Sequence, residues 1–240
     1  MKIIGVIPAR YGSKRFPGKP LALINGKPMI QWVYEKASKS KYLERLIVAT
    51  DDVRIMRKVW SFGGEAMLTS LKSKSGTDRT AEVCKKMAAD VIVNIQGDEP
   101  LISYKTIDLV VEAMKKDQRL LMATAAIPLK STNAQIQSEN IVKVVLDKAG
   151  NALYFSRYPI PYKKNKNAQK TILQHCGLYA FRKNFLLRFA KWKQTPLEMT
   201  ESLEQLRALE RGTRIKVIIT RQKSFGVDTK TDLEKVKKML

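Results

Sequence analysis

Histidine and cysteine are nearly absent from this chain of 240 residues, which carries one His, at 175, and two Cys, at 84 and 176. A single histidine excludes a His-rich zinc centre. Two cysteines without metal-ligand spacing exclude a disulfide scaffold and are expected to be reduced and packed. No apolar run approaches the roughly 20 residues that cross a bilayer. The opening Met-Lys-Ile-Ile-Gly-Val-Ile-Pro reaches Pro8 and Arg10 too soon for a secretory signal and reads as a first buried strand, so a cytoplasmic protein is expected. Also missing are an internal repeat, a low-complexity linker, a Walker P-loop and the dinucleotide-binding glycine fingerprint. Negative charge is scarce, with 22 acidic residues against 45 basic ones, a formal net charge of +23. Such an excess suits polyanion binding, but the lysines are dispersed. Denser stretches occur only at Lys163, Lys164, Lys166 and Lys170, and at Lys235, Lys237 and Lys238. A solvated lysine-rich surface is therefore expected, with no specific nucleic-acid partner and no membrane.

The chain does contain apolar runs alternating with helical patterns, the signature of a mostly parallel sheet with crossover helices. Strands are expected at residues 3–7, 46–49, 65–68, 91–95 and 121–126. Helical stripes follow Pro28 (Ile30, Val33, Tyr34, Ala37), Ser75-Gly76-Thr77-Asp78, and the stretch carrying Ile107, Val110, Val111 and Met114. Asn25-Gly26 makes a turn. After Pro128 the rhythm changes. Residues 141–146 and 152–155 flank Asp147-Lys148-Ala149-Gly150 as a hairpin, and residues 173–181 form another strand. Helices are expected over 183–192 and 196–211, then a strand at 215–220 and a helix from Thr231. The reading is one doubly wound α/β domain, 1–240, with a small inserted antiparallel lobe at about 139–182, serving dimerisation or as a lid.

In such a sheet, ligands sit beyond the carboxyl ends of the strands. Three charged loops should converge there. Residues 8–21, directly after the first strand, hold Arg10, Lys14, Arg15 and Lys19 with Gly12 and Gly18. Four cations in one short loop repel one another unless an anion neutralises them, and a triphosphate is the natural candidate. Asp98 and Glu99 end an apolar strand, where a carboxylate either caps a turn or binds a hard cation such as Mg²⁺. Asp228, in Gly226-Val227-Asp228-Thr229, could supply a second carboxylate, although alone it reads as a residue that opens a helix. Together a basic phosphate loop and two strand-end carboxylates imply metal-assisted nucleotidyl transfer.

The shared stretches are residues 8–21, Ser75-Gly76-Thr77-Asp78-Arg79, Gln96-Gly97-Asp98-Glu99-Pro100 with the strand before it, residues 152–157, residues 175–179, residues 201–207 and Gly226-Val227-Asp228-Thr229. In this order and spacing the chain resembles the 3-deoxy-manno-octulosonate (Kdo) cytidylyltransferases, the CMP-Kdo synthetases, over essentially its full length. The resemblance implies a nucleotide-diphospho-sugar transferase-like fold. It implies that Arg10, Ser13, Arg15 and Lys19 hold the CTP phosphates, with Arg79 and Gln96 also in the nucleotide site. Asp98 and Asp228 would coordinate Mg²⁺, and Arg157, His175, Tyr179, Glu201 and Gln205 would face the sugar acid. Read from the residues alone, His175 on an apolar strand is a satisfied structural histidine, and Arg157 is either the partner of a carboxylate or an exposed strand arginine. Glu201 and Gln205, four apart on the expected helix, share a face.

The implied reaction is attack of the sugar's anomeric hydroxyl on the α-phosphate of CTP, with Arg10, Arg15 and Lys19 stabilising the departing pyrophosphate. No side chain stands out as the general base. The product would feed lipopolysaccharide assembly, and the family suggests a homodimer. The rival readings are CMP-activation of amino-Kdo or a sialate, a hexose-phosphate nucleotidyltransferase that lacks its Gly-x-Gly-x-Arg opening here, and a basic nucleic-acid-binding protein, which leaves Asp98 and Asp228 unexplained.

Overall fold

A computed structural model describes residues 1–13, 15–129, 133–165, 171–223 and 225–240. Lys14, Lys166 and Lys170 lie outside the described residues. In chain order the elements begin with β1 (Ile3–Ala9), a 3₁₀ turn (Lys19–Leu21), the two-residue strands β2 (Leu23–Ile24) and β3 (Lys27–Pro28), and α1 (Met29–Ala37). There follow β4 (Arg45–Thr50), α2 (Val53–Ser61), β5 (Glu65–Leu68), α3 (Gly76–Lys85), β6 (Val91–Asn94), α4 (Tyr104–Lys116) and β7 (Met122–Leu129). The second half has α5 (Asn133–Gln137), β8 (Lys143–Leu146), β9 (Ala152–Ser156), β10 (Ile172–Arg182), α6 (Lys183–Phe189), α7 (Pro196–Glu201), α8 (Leu206–Glu210), β11 (Ile215–Ile219) and α9 (Lys230–Lys237).

The main sheet runs β11-β7-β10-β6-β1-β4-β5, and every neighbouring pair is parallel except those made by β10. Alternate residues of each strand enter opposite cores, as the pleat requires. Ile3 and Ile7 of β1, with Leu46 and Val48 of β4, pack under α1, α2 and α4. Ile4 and Val6, with Ile47 and Ala49, pack under α3, α6 and α8. This is the doubly wound α/β architecture expected, with apolar strands because both faces are covered.

The antiparallel segment is present and belongs to the same sheet. β10 is eleven residues long and has two sets of partners. Its first half lies between β7 and β8, and its second half between β7 and β6. The β8–β9 hairpin thus extends the main sheet through β10. Its turn closes as expected, with Gly150 at φ 76°.

One expectation fails locally. Residues 196–211 are not one helix: α7 ends at Ser202, whose φ of 51° is left-handed, and Gln205 is the residue that caps α8. Glu201 and Gln205 therefore do not share a helical face. Of the two glycines in the loop after β1, only Gly18 is needed for its backbone, at φ 70°, while an added Cβ at Gly12 would meet nothing.

Candidate active site

The loop after β1 is folded by its own backbone. The Tyr11 carbonyl accepts from the N–H groups of both Ser13 and Gly18, each at 2.9 Å. Phe16, buried, anchors the loop against Ile24, Met29 and Val227. Arg10 and Arg15 are left exposed on the outside of this turn.

The loops after β1, β6 and β11 then converge. The Val227 N–H donates to the Asp98 carbonyl at 2.9 Å, which pins the segment after β11 to the end of β6. Thr229 and Asp232 form a reciprocal capping box on α9, so the helix cap is Thr229 and not Asp228. Asp228 is thereby free to face Asp98. Lys19 Nζ lies between the two carboxylates, 2.6 Å from Asp98 Oδ2 and 3.4 Å from Asp228 Oδ1, and Arg15 Nη2 is 3.1 Å from Asp228 Oδ2. The repulsion expected within the basic loop is thus met in part from inside the protein. Lys19 lies on the carboxylates, and its side chain is 13% exposed.

Two carboxylates held on one cation form the donor set that a hard divalent ion uses together with phosphate oxygens. Among the described residues no group of three or more His, Cys, Asp or Glu side chains is arranged to hold a metal. An ion here would complete its shell from substrate and water.

Above these carboxylates is a cavity of about 610 Å³, walled by Arg10, Ser13, Arg15, Lys19, Arg79, Gln96, Asp98 and Asp228, and closed by Ser75 and Gly76 at the start of α3. Every residue expected at the nucleotide and metal sites lines it. Arg79 is fixed rather than free, because its guanidinium donates to Asp51 Oδ2 at 2.8 Å and to Thr69 Oγ1 at 2.5 Å. Two backbones also meet here. A Cβ built on Gly97 would stand 2.7 Å from the Pro8 carbonyl oxygen. Gly97→Ala must therefore push the β6 loop off β1. We expect it to raise the KM for nucleotide about tenfold and to cost about 1–3 kcal/mol of stability by overpacking, measured by initial rates and urea unfolding.

The residues expected at the sugar acid do not line that cavity. They form two groups behind it. In the first, Glu201 accepts from Ser156 Oγ (2.7 Å) and from the Arg157 N–H (2.9 Å). The Arg157 guanidinium donates to the carbonyls of Glu201 (2.8 Å), Glu139 (2.9 Å) and Ser202 (3.3 Å). Arg157 is therefore neither a loose strand arginine nor a free fork: it ties the left-handed end of α7 to β9. Gln205 is buried, and its Nε2 has no hydrogen-bond partner among the described residues.

In the second group, the rings of His175 and Tyr179 meet at 5.3 Å, tilted by 41°, on either side of a bulge in β10. Burial pushes the His175 pKa down to about 3. Burial, then the Glu204 carboxylate, drives that of Tyr179 well above the phenol range. The bulge lies against the cavity wall, since a Cβ on Gly177 would stand 3.0 Å from Gln96 Cγ.

Reading the sequence missed Glu204, which joins the two regions. Its carboxylate accepts from Ser75 Oγ at 3.0 Å and from Thr77 Oγ1, and it faces Arg207 at 3.4 Å. Burial raises its pKa, against the lowering by the Thr77 hydroxyl. Arg207 is itself held by Glu198 in a two-pronged pair at 2.6 and 2.7 Å. The signal was present in the stretch 201–207, but only packing shows which carboxylate reaches α3.

A cavity of nucleotide size at the carboxyl ends of parallel strands, lined by cations and floored by two carboxylates, defines a nucleotidyl-transferring protein. Residues 4–215 match the model of the cytidylyltransferase family. The chain is 50% identical over 237 residues to the 3-deoxy-manno-octulosonate cytidylyltransferase of Fusobacterium nucleatum subsp. nucleatum, covering 98% of this chain and 96% of that one. It is also 50% identical over 246 residues to the protein of the same name from Geotalea daltonii, covering 98% and 97%. Among solved structures, a CMP:2-keto-3-deoxy-manno-octonic acid synthetase complexed with CTP superposes with a TM-score of 0.95 at 42% identity, covering 100% of this chain and 98% of that one. The chain belongs to the 3-deoxy-manno-octulosonate cytidylyltransferase family.

Proposed function

We propose that the cavity binds CTP and that the chain joins its cytidylyl group to 3-deoxy-manno-octulosonate, releasing pyrophosphate. The anomeric hydroxyl forms the new P–O bond at the α-phosphorus, and the bond to the pyrophosphate oxygen breaks. The observation that carries this is the convergence of Arg10, Ser13, Arg15, Gln96, Asp98 and Asp228 on one cavity in a chain of this family. Arg10 and Arg15, exposed at the mouth, would take the charge that accumulates on pyrophosphate. Asp98 and Asp228 would hold Mg²⁺, which supplies charge neutralisation at the phosphoryl oxygens when bound. Lys19 would keep the two carboxylates together.

The sugar acid would meet His175, Tyr179, Glu201 and Gln205, with Arg157 as the brace that holds Glu201. Support comes from the buried Gln205 Nε2, which has no partner among the described residues, a costly arrangement unless a ligand completes it. A homodimer is consistent with β9, which among the described residues pairs only with β8 within the sheet, and with exposed Leu153, Tyr158 and Tyr162 on and beside it. No helix among the described residues is long and apolar enough to cross a membrane, and we place the reaction in the cytoplasm, feeding lipopolysaccharide assembly.

The test is pyrophosphate release with each of CTP, UTP, ATP and GTP against 3-deoxy-manno-octulosonate, its amino analogue and a sialate. The expected result is a strong preference for CTP with 3-deoxy-manno-octulosonate. Equal use of UTP, or a preference for either other acid, would overturn the assignment.

A further inference from the structure

The bulge in β10 leaves Gly177 and Leu178 without register partners on β7, since Cys176 pairs with Ala125 and Tyr179 already with Thr124. The backbone groups released there need other partners. Thr124, fully buried on β7, supplies one. Its hydroxyl oxygen is 2.7 Å from the Leu178 carbonyl oxygen, 3.2 Å from that of Cys176, and 3.0 Å from His175 Nε2. A carbonyl oxygen can only accept, so the single Thr124 proton goes to the bulge, at the shorter contact. Thr124 Oγ1 can then only accept from the imidazole, and Nε2 must carry hydrogen.

We propose that Thr124 is a positioning residue that fixes His175 as its Nε2–H tautomer, so that Nδ1 is the atom offered as an acceptor to a hydroxyl of the sugar acid. The proposal rests on the reading that His175 meets the sugar. The ring is further oriented by Phe155, edge-on at 5.0 Å, and by Tyr179. With its pKa held far below neutrality by burial, the imidazole stays uncharged at working pH and has a tautomer to fix. Thr124 does not read as functional in the sequence. Thr124 sits in an apolar strand, Met-Ala-Thr-Ala-Ala, where a hydroxyl is the one polar side chain among small residues.

Because His175 is the only histidine, tag-free protein labelled with [¹⁵N]histidine gives a single imidazole in a long-range ¹H–¹⁵N spectrum. At pH 7.5 the wild type should show a protonated, pyrrole-type Nε2 and a pyridine-type Nδ1. Thr124→Val removes the acceptor at nearly constant volume. It should shift the tautomer ratio towards Nδ1–H and lower kcat/KM for the sugar acid about tenfold, with the KM for CTP unchanged. Thr124→Ser keeps the hydroxyl and should restore both readouts.

A wild-type spectrum with Nδ1 protonated overturns the proposal without any variant. So does Thr124→Val with an unchanged tautomer, or with a shifted tautomer and unchanged kinetics for the sugar acid. If Thr124→Val does not fold, the wild-type spectrum and Thr124→Ser still decide: a serine variant with the tautomer lost counts against it. Should the wild type use no sugar acid at all, the proposed function fails, while the spectrum still reports separately on the tautomer.

Discussion

Replacing either Asp98 or Asp228 by asparagine is expected to lower turnover in pyrophosphate release by at least about a hundredfold, about 2.7 kcal/mol in the barrier, while the far-ultraviolet circular dichroism stays native. The two carboxylates are far apart in the sequence and are brought onto one lysine by the bond from Val227 to Asp98. Asparagine preserves shape and removes charge. It leaves Lys19, which is largely covered, with one anionic partner instead of two. Mg²⁺ titrations of each variant should show a higher half-saturating concentration. Near wild-type turnover from either variant would remove that residue from the reacting centre.

The largest effect on stability is expected at Glu198. Its two-pronged pair with Arg207 is buried, with side chains 5% and 7% exposed. Removing one partner of a buried pair leaves an uncompensated charge and costs about 3–5 kcal/mol. Glu198→Ala should therefore lower the free energy of urea unfolding at pH 7 by about 3 kcal/mol or more. A loss below about 1 kcal/mol would show that the pair is not what holds α7 to α8. Acid gives a second readout with a definite sign. Burial alone pushes the Glu198 carboxyl up from its ordinary 4.5, but the bonds and charge of Arg207 outweigh it and the net shift is downward. A lowered carboxylate stabilises the fold above its unfolded value and loses that contribution as pH falls through the folded one. The difference between wild type and Glu198→Ala should therefore shrink below about pH 4.5. The raised Glu204 carboxyl contributes with the opposite sign.

Much of this was legible because it depends on local pattern. Strands β1, β4 and β6 are apolar on both faces since helices cover both, and the cations and carboxylates follow strand ends directly. What was not legible depends on partners distant in sequence. Nothing at Ser202 announces a left-handed residue, where glycine or asparagine would have. That break separates Glu201 from Gln205 and gives Arg157 two of its three carbonyls, those of Glu201 and Ser202. Lys19 reads as a phosphate ligand until Asp98 and Asp228 are seen on either side of it. The alternation of His175 and Tyr179 marks a strand, but the bulge between them, and with it the role of Thr124, appears only once β7 is laid alongside.

The position of β10 also governs the order in which the chain can finish folding. β6 and β7 are successive strands in sequence, but they lie one strand apart in the sheet, and β10 fills the gap. A nascent chain that has emerged only through β7 therefore cannot seal its sheet. It presents an unpaired edge on β6, apolar on both faces, until the ribosome has released residues as far as Arg182. Such an edge is the template for pairing with another copy of the chain. Slow elongation across residues 95–171 should make aggregation of the newborn protein worse, and faster elongation there should relieve it.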